Sequence, residues 1–250
     1  MKSLKNAAIK VPEITAYFWI IKLLTTAMGE ATSDYLVHLL NPIPAVILGG
    51  VCLILALTLQ FLVRRYIAWV YWLAVAMVAV FGTMAADVMH VGLGVPYIVS
   101  SIFFAIALVV VFITWYFSEK TLSFHSIYTT RREIFYWVTV LATFALGTAL
   151  GDLTATTFGL GYLSSTVLFA VIIAIPALAY WIFGLNDIIA FWATYVLTRP
   201  LGASFADWMS RSRNLGGLGL AGPTSLVLTI LIIGFVLYLT FTRKDVRSES

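Results

Sequence analysis

Charge is what this chain of 250 residues has least of. Only 10% of its residues are Asp, Glu, Lys or Arg, where a soluble domain carries about 25%. Hydrophobic residues make up 62% and the mean hydropathy is +1.00, so the chain cannot cover itself with a polar surface. That excludes a soluble enzyme, a disordered protein and a nucleic-acid-binding domain, and it makes the lipid bilayer the expected solvent. Cysteine is nearly absent too. Cys52 is the only one, so no internal disulfide can form, and its apolar surroundings suit a small buried or lipid-facing residue. Walker A, G-x-S-x-G and H-E-x-x-H motifs are all missing, and no enzyme is expected.

Long apolar runs take the place of these features. A membrane span needs roughly 20 mostly apolar residues, and eight such stretches fit, at about 14–39, 43–63, 67–90, 95–118, 134–157, 160–183, 187–209 and 222–242. Lys2, Lys5 and Lys10 resemble the start of a signal peptide, but the run after them is too long and lacks a cleavage site, so it reads as a retained span. The basic pI of 9.2 is explained by where the charges fall. Lys2, Lys5, Lys10, Arg64, Arg65, Lys120, Arg131, Arg132, Arg243, Lys244 and Arg247 all lie on one side of an eight-span chain, and only Arg211 and Arg213 lie opposite. The positive-inside rule then places both termini in the cytoplasm. Pro176 and Pro200 fall inside spans and predict kinks, and the tryptophans read mostly as interface anchors.

Self-similarity carries the most information. Segments 18–34, 71–87, 136–152 and 191–207 align without a gap: FWIIKLLTTAMGEATSD, YWLAVAMVAVFGTMAAD, YWVTVLATFALGTALGD and FWATYVLTRPLGASFAD. Each opens with an aromatic residue and a tryptophan (Trp19, Trp72, Trp137, Trp192). Glycine follows at Gly29, Gly82, Gly147 and Gly202, a small residue at Ser33, Ala86, Gly151 and Ala206, and aspartate at Asp34, Asp87, Asp152 and Asp207. The expected fold is an all-α integral membrane protein of one polytopic domain. It has eight transmembrane helices as four parallel two-helix hairpin repeats, at about 11–66, 67–120, 133–184 and 187–243. The pattern resembles a family of uncharacterised bacterial membrane proteins built from tandem copies of a repeat of unknown function. That resemblance implies an inner-membrane location and supplies no substrate or catalytic residue.

Glycine and a small residue four positions apart share one helical face, the small-xxx-small pattern that lets membrane helices approach closely. The four odd-numbered helices should therefore form an inner bundle, with the nearly uncharged even helices outside. Each aspartate lies 15 residues beyond its tryptophan, about 22 Å along the axis, so the four should reach one depth and form a ring. Charge inside a span is costly and points to function. Glu30 joins Asp34 on one face of the first motif helix, Thr83 and Thr148 occupy the equivalent position in the second and third, and Lys22 and Arg199 would offset the acids. The excess of carboxylates calls for protons or a bound cation. His38 and His90 each follow a motif aspartate closely, a pairing suited to Mn²⁺ or Zn²⁺. The expected activity is transport of a small cation, a divalent metal or protons, at Asp34, Asp87, Asp152, Asp207 and Glu30. Two alternatives are a non-transporting scaffold or partner subunit with structural aspartates, and a redox protein with haem held by His38 and His90, for which no haem motif exists.

Overall fold

The computed structural model describes residues 9–246; Lys2, Lys5 and Arg247 lie outside them. Every regular element among these residues is helical. Eight long helices follow in order: α1 (Ala16–Leu40), α2 (Pro42–Leu62), α3 (Ala68–Asp87), α4 (Tyr97–Glu119), α5 (Thr130–Asp152), α6 (Tyr162–Phe183), α7 (Asp187–Ser210) and α8 (Ala221–Thr242). Their limits have local causes. Thr15 caps α1 by accepting from Phe18 N, Thr129 caps α5 by accepting from Arg132 N, and Asn186 caps α7 by accepting from Ile188 N, each satisfying an amide the helix leaves free. Pro42 and Pro44 sit in the first turn of α2, where a missing N–H is harmless. Gly184, at φ 64°, ends α6 in the left-handed conformation that glycine adopts without strain. α6 runs through Pro176 and α7 through Pro200.

The motif helices α1, α3, α5 and α7 form a closed ring. α1 packs on α3 and α7, and α5 packs on the same two. Symmetry is visible in the contacts. At the N-terminal end the leading aromatic of each helix meets the tryptophan of the next: Phe18 with Trp72 at 5.7 Å, Tyr71 with Trp137 at 5.7 Å, Tyr136 with Trp192 at 6.2 Å and Phe191 with Trp19 at 5.8 Å. The same two positions of the repeat meet in every contact, as parallel helices require. The motif glycines repeat the cycle. Gly29 faces Ala79, Gly82 faces Phe144, Gly147 faces Arg199, and Gly202 faces Thr26. In each case the neighbour stands at the same repeat position, and a Cβ on the glycine would collide with it. Ser33, Ala86, Gly151 and Ala206 are likewise buried.

Two expectations are corrected by this packing. Trp72, Trp115, Trp137 and Trp192 belong to the buried core rather than to an interface belt; three of them fill the aromatic cycle, and Trp115, on α4, packs against Phe135 and Trp192. The repeats are also not self-contained hairpins. Each even helix lies chiefly on the motif helix of the following repeat: α2 on α3, α4 on α5, α6 on α7, and α8 back on α1. The outer faces of these even helices are apolar and exposed, as at Ile43, Phe103, Phe183 and Phe241. Among the described residues, six helices are long and apolar enough to cross a membrane: α2, α4, α6, α8, and α3 and α5 with their C-terminal extensions. α1 and α7 each carry buried charge of both signs, Lys22 and Glu30 on one, Arg199 and Asp207 on the other, and α5 adds buried Glu133 and Asp152.

Candidate cation site between the motif helices

Polar groups inside the ring lie in layers beyond the aromatic end. Lys22 comes first, fully buried, with Nζ 4.0 Å from the Phe144 ring centre and 4.1 Å from that of Tyr195. Among the described residues no hydrogen-bond partner reaches this nitrogen, so the two ring faces are what offset its charge. It does not pair with a carboxylate, contrary to the simple expectation of a charge-neutralising partner.

A buried knot follows. Arg199 donates from Nη2 to Glu30 Oε2 at 2.6 Å and to Thr148 Oγ1 at 2.7 Å, from Nη2 also to Thr83 Oγ1, and from Nη1 to the Thr26 carbonyl at 3.0 Å. Thr83 and Thr148 each donate to the same Glu30 oxygen at 3.2 Å. One ion pair thus ties all four motif helices together. Removing two charges from water is expensive, and the surrounding hydroxyls and carbonyl are what make the pair tolerable. Glu30 is consumed by this knot and does not join the aspartates.

The aspartates occupy the C-terminal end of the bundle, split into two pairs. Arg211 spans the first pair: its Nε donates to Asp207 Oδ1 at 2.9 Å and its Nη2 lies 3.1 Å from Asp34 Oδ2. Sequence reading took Arg211 only as a topology marker. Its spacing of four residues from Asp207 was the signal that it can reach back onto a motif aspartate.

The second pair is different. Asp87, His90 and Asp152 each bring one ligand atom within 4.8 Å of the others. His90 and Asp152 are buried, and His90 Nδ1 stands 3.9 Å from Asp152 Oδ2. A π-helical turn begins directly after each of these aspartates, at Val88–Gly92 and at Leu153–Thr157. Such turns are rare and gather at functional sites. α1 continues as ordinary helix past Asp34. Ser100, on α4, holds His90 from behind at 2.6 Å from Nε2; nothing in the spacing of the sequence marked it.

His38 lies elsewhere. It is exposed, and its Nδ1 donates to the Asp34 carbonyl of its own helix at 2.7 Å. The ring thus brings together Asp87, Asp152 and His90, binds Asp34 and Asp207 to an arginine, and leaves His38 outside. The paired histidines needed for haem ligation are not assembled, since one faces outward and the other is packed against Ser100 and Tyr97.

No curated protein and no solved structure matches the chain. Four segments, 17–66, 70–121, 135–185 and 190–245, match the family described as Repeat of Unknown Function (DUF347). Together they span most of the chain, and each covers one motif helix of the ring and the even helix that follows it. The chain belongs to this family, a repeat of unknown function present here in four tandem copies.

Proposed function

We propose that the protein is an eight-span transporter of a small cation, carried through a carboxylate-lined site between its repeats. The observation that supports this most is the convergence of the four motif aspartates on one end of the inner bundle. With Glu30 they make five acids against three bases, Lys22, Arg199 and Arg211. An uncompensated negative charge inside a membrane protein is costly unless a cation or proton answers it. α1 and α7 complete the eight spans, their charges shielded from lipid by the rest of the bundle. The Arg199–Glu30 knot and the aromatic cycle close the axis toward the other end, as one end state of an alternating-access cycle requires. In this reading the aromatic end and both termini face the cytoplasm and the aspartates the outer side of a bacterial inner membrane, an orientation that the positive-inside rule supports.

Reconstituted proteoliposomes test the proposal. Wild-type protein should carry protons or a divalent metal down a gradient, and Asp87→Asn should reduce that flux at least tenfold while folding is retained. The same rate in both, or no flux for any ion across a panel of metals and protons, would favour the scaffold reading instead. That reading draws its support from the same knot, which ties four helices together through one ion pair.

A further inference from the structure

The ligand atoms of the second aspartate pair carry more information than their charge. His90 is nine-tenths buried, and its Nδ1 has no hydrogen-bond partner among the described residues. The opposite ring nitrogen, Nε2, lies 2.6 Å from Ser100 Oγ. The Ser100 hydroxyl itself donates to the Tyr97 carbonyl at 3.0 Å, so its lone pair is left to accept from Nε2–H. That arrangement satisfies both residues and fixes the tautomer. The consequence is a bare Nδ1 lone pair aimed at Asp152 Oδ2 across 3.9 Å, with Asp87 beside them. Two acceptors facing each other across a buried gap repel unless a cation stands between them. The gap is too long for a hydrogen bond, and it suits two ligands that each lie about 2.0–2.2 Å from one metal ion.

We infer that Asp87, His90 and Asp152 form a binding site for a first-row transition-metal ion, of the Zn²⁺ or Mn²⁺ class, with Ser100 holding the histidine in its ligating tautomer. The ligand set is one imidazole and two carboxylates. Imidazole nitrogen favours Zn²⁺ and its neighbours over Mg²⁺ and Ca²⁺, which prefer oxygen alone. Three protein ligands leave a coordination position open, as suits an ion that must be released. The Tyr97 ring meets the imidazole edge to face, with centroids 4.4 Å apart, and packs against it. The other aspartate pair offers no such site, because the Arg211 guanidinium already serves as its cation.

The inference deepens the transport reading but does not depend on flux. Equilibrium binding to the purified full chain in detergent tests it, with Zn²⁺, Mn²⁺, Mg²⁺ and Ca²⁺ as titrants and Co²⁺ as a coloured probe. Wild type should bind one Zn²⁺ or Co²⁺ per chain, the bound Co²⁺ should show d–d absorption bands of nitrogen and oxygen ligation, and a large excess of Mg²⁺ should not displace it. His90→Gln should lose at least tenfold in affinity, and His38→Ala should bind as wild type does. Ser100→Ala keeps the ligand and frees its tautomer, so it should lose roughly 10–100-fold, which separates ligation from any folding defect of the histidine variant. Displacement by Mg²⁺, unchanged affinity in both His90→Gln and Ser100→Ala, or no saturable binding by wild type would overturn the inference. Metal binding without flux would leave the site standing and refute transport. Flux that survives His90→Gln unchanged would leave transport standing and refute the metal assignment.

Discussion

At the scale of single residues, the Arg199–Glu30 pair decides how costly a substitution in the bundle is. Arg199 is fully buried, and its guanidinium bonds Glu30, Thr148, Thr83 and the Thr26 carbonyl. Arg199→Met leaves Glu30 as an uncompensated buried charge, and breaking such a pair costs about 3–5 kcal/mol. The double variant Arg199→Met with Glu30→Gln removes the charge along with its partner and should recover most of that loss. Thermal unfolding in detergent of the two singles and the double reads the coupling; additive losses would show that the two residues act independently. The glycines permit a sharper contrast. A Cβ on Gly202 would strike the Thr26 side chain and come 3.0 Å from the Ala27 amide, whereas one on Gly151 would meet Ser204 Oγ at 3.4 Å, close to ordinary contact. Gly202→Ala should therefore destabilise by about 1–3 kcal/mol and Gly151→Ala by much less, although both occupy small-residue positions of the same repeated motif. Sequence pattern reveals that small residues line the seam. It does not reveal which neighbour each one faces, because that depends on the offset between adjacent helices.

At the scale of elements, the ends of the motif helices separate the repeats. All four carry aspartate at one register, so a uniform ring is what the alignment leads one to expect. The structure divides it, because α3 and α5 pass into π-helical turns after their aspartates while the turn after α7 carries an arginine back onto Asp207 and Asp34. The π-turns had no visible signature, since the added residue per turn is set by packing and not by propensity. Arg211→Gln should free the Asp34–Asp207 pair. Metal stoichiometry should then rise from one to two, with the second site, lacking a histidine, open to Mg²⁺ and Ca²⁺ as well. A stoichiometry that stays at one would show that the arginine is not acting as a built-in cation. The opposite end is closed by the segment before α1. Lys10 pairs with Glu133 at 2.6 Å, and Glu13 N donates to the Asp245 carbonyl at 2.9 Å. Burial raises the Asp245 carboxyl above its ordinary value of 3.8, with the Tyr66 hydroxyl bond pulling the other way. A raised native value means that the folded chain holds this proton more tightly than the unfolded chain. The corresponding stability is present below the ordinary value and is lost as pH rises through the raised one. Melting temperature measured upward from about pH 4 should fall less steeply in Asp245→Asn than in wild type; parallel curves would show that the carboxyl does not govern this closure.

At the scale of the whole molecule, the chain closes on itself. Helical periodicity and the repeated W-x9-G-x3-small-D motif made the four-helix inner bundle legible before any coordinates. The way the outer helices are shared was not legible, because apolar even helices such as α2 and α4 carry no residue that names a partner. Each lies on the motif helix of the next repeat, and α8 completes the circuit on α1. That arrangement predicts what happens when the chain is cut in the connection between α4 and α5. The first half, residues 1–120, would carry α4, whose place is on α5 of the second half. The second half, residues 121–250, would carry α8, whose place is on α1 of the first. Each half therefore holds a helix the other needs, in addition to the α1–α7 and α3–α5 seams and the Arg199–Glu30 knot that cross the cut. Either half alone leaves charged and close-packed faces open to lipid, where an unpaired buried charge is costly. Expressed together, the halves should insert and co-purify in equal amounts on a tag carried by one of them, with a melting temperature near that of the intact chain. Expressed singly, each should be degraded or aggregate. A second half that folds and stays monodisperse alone would mean that pairs of repeats are independent units after all, and that the circular exchange of outer helices adds little to stability.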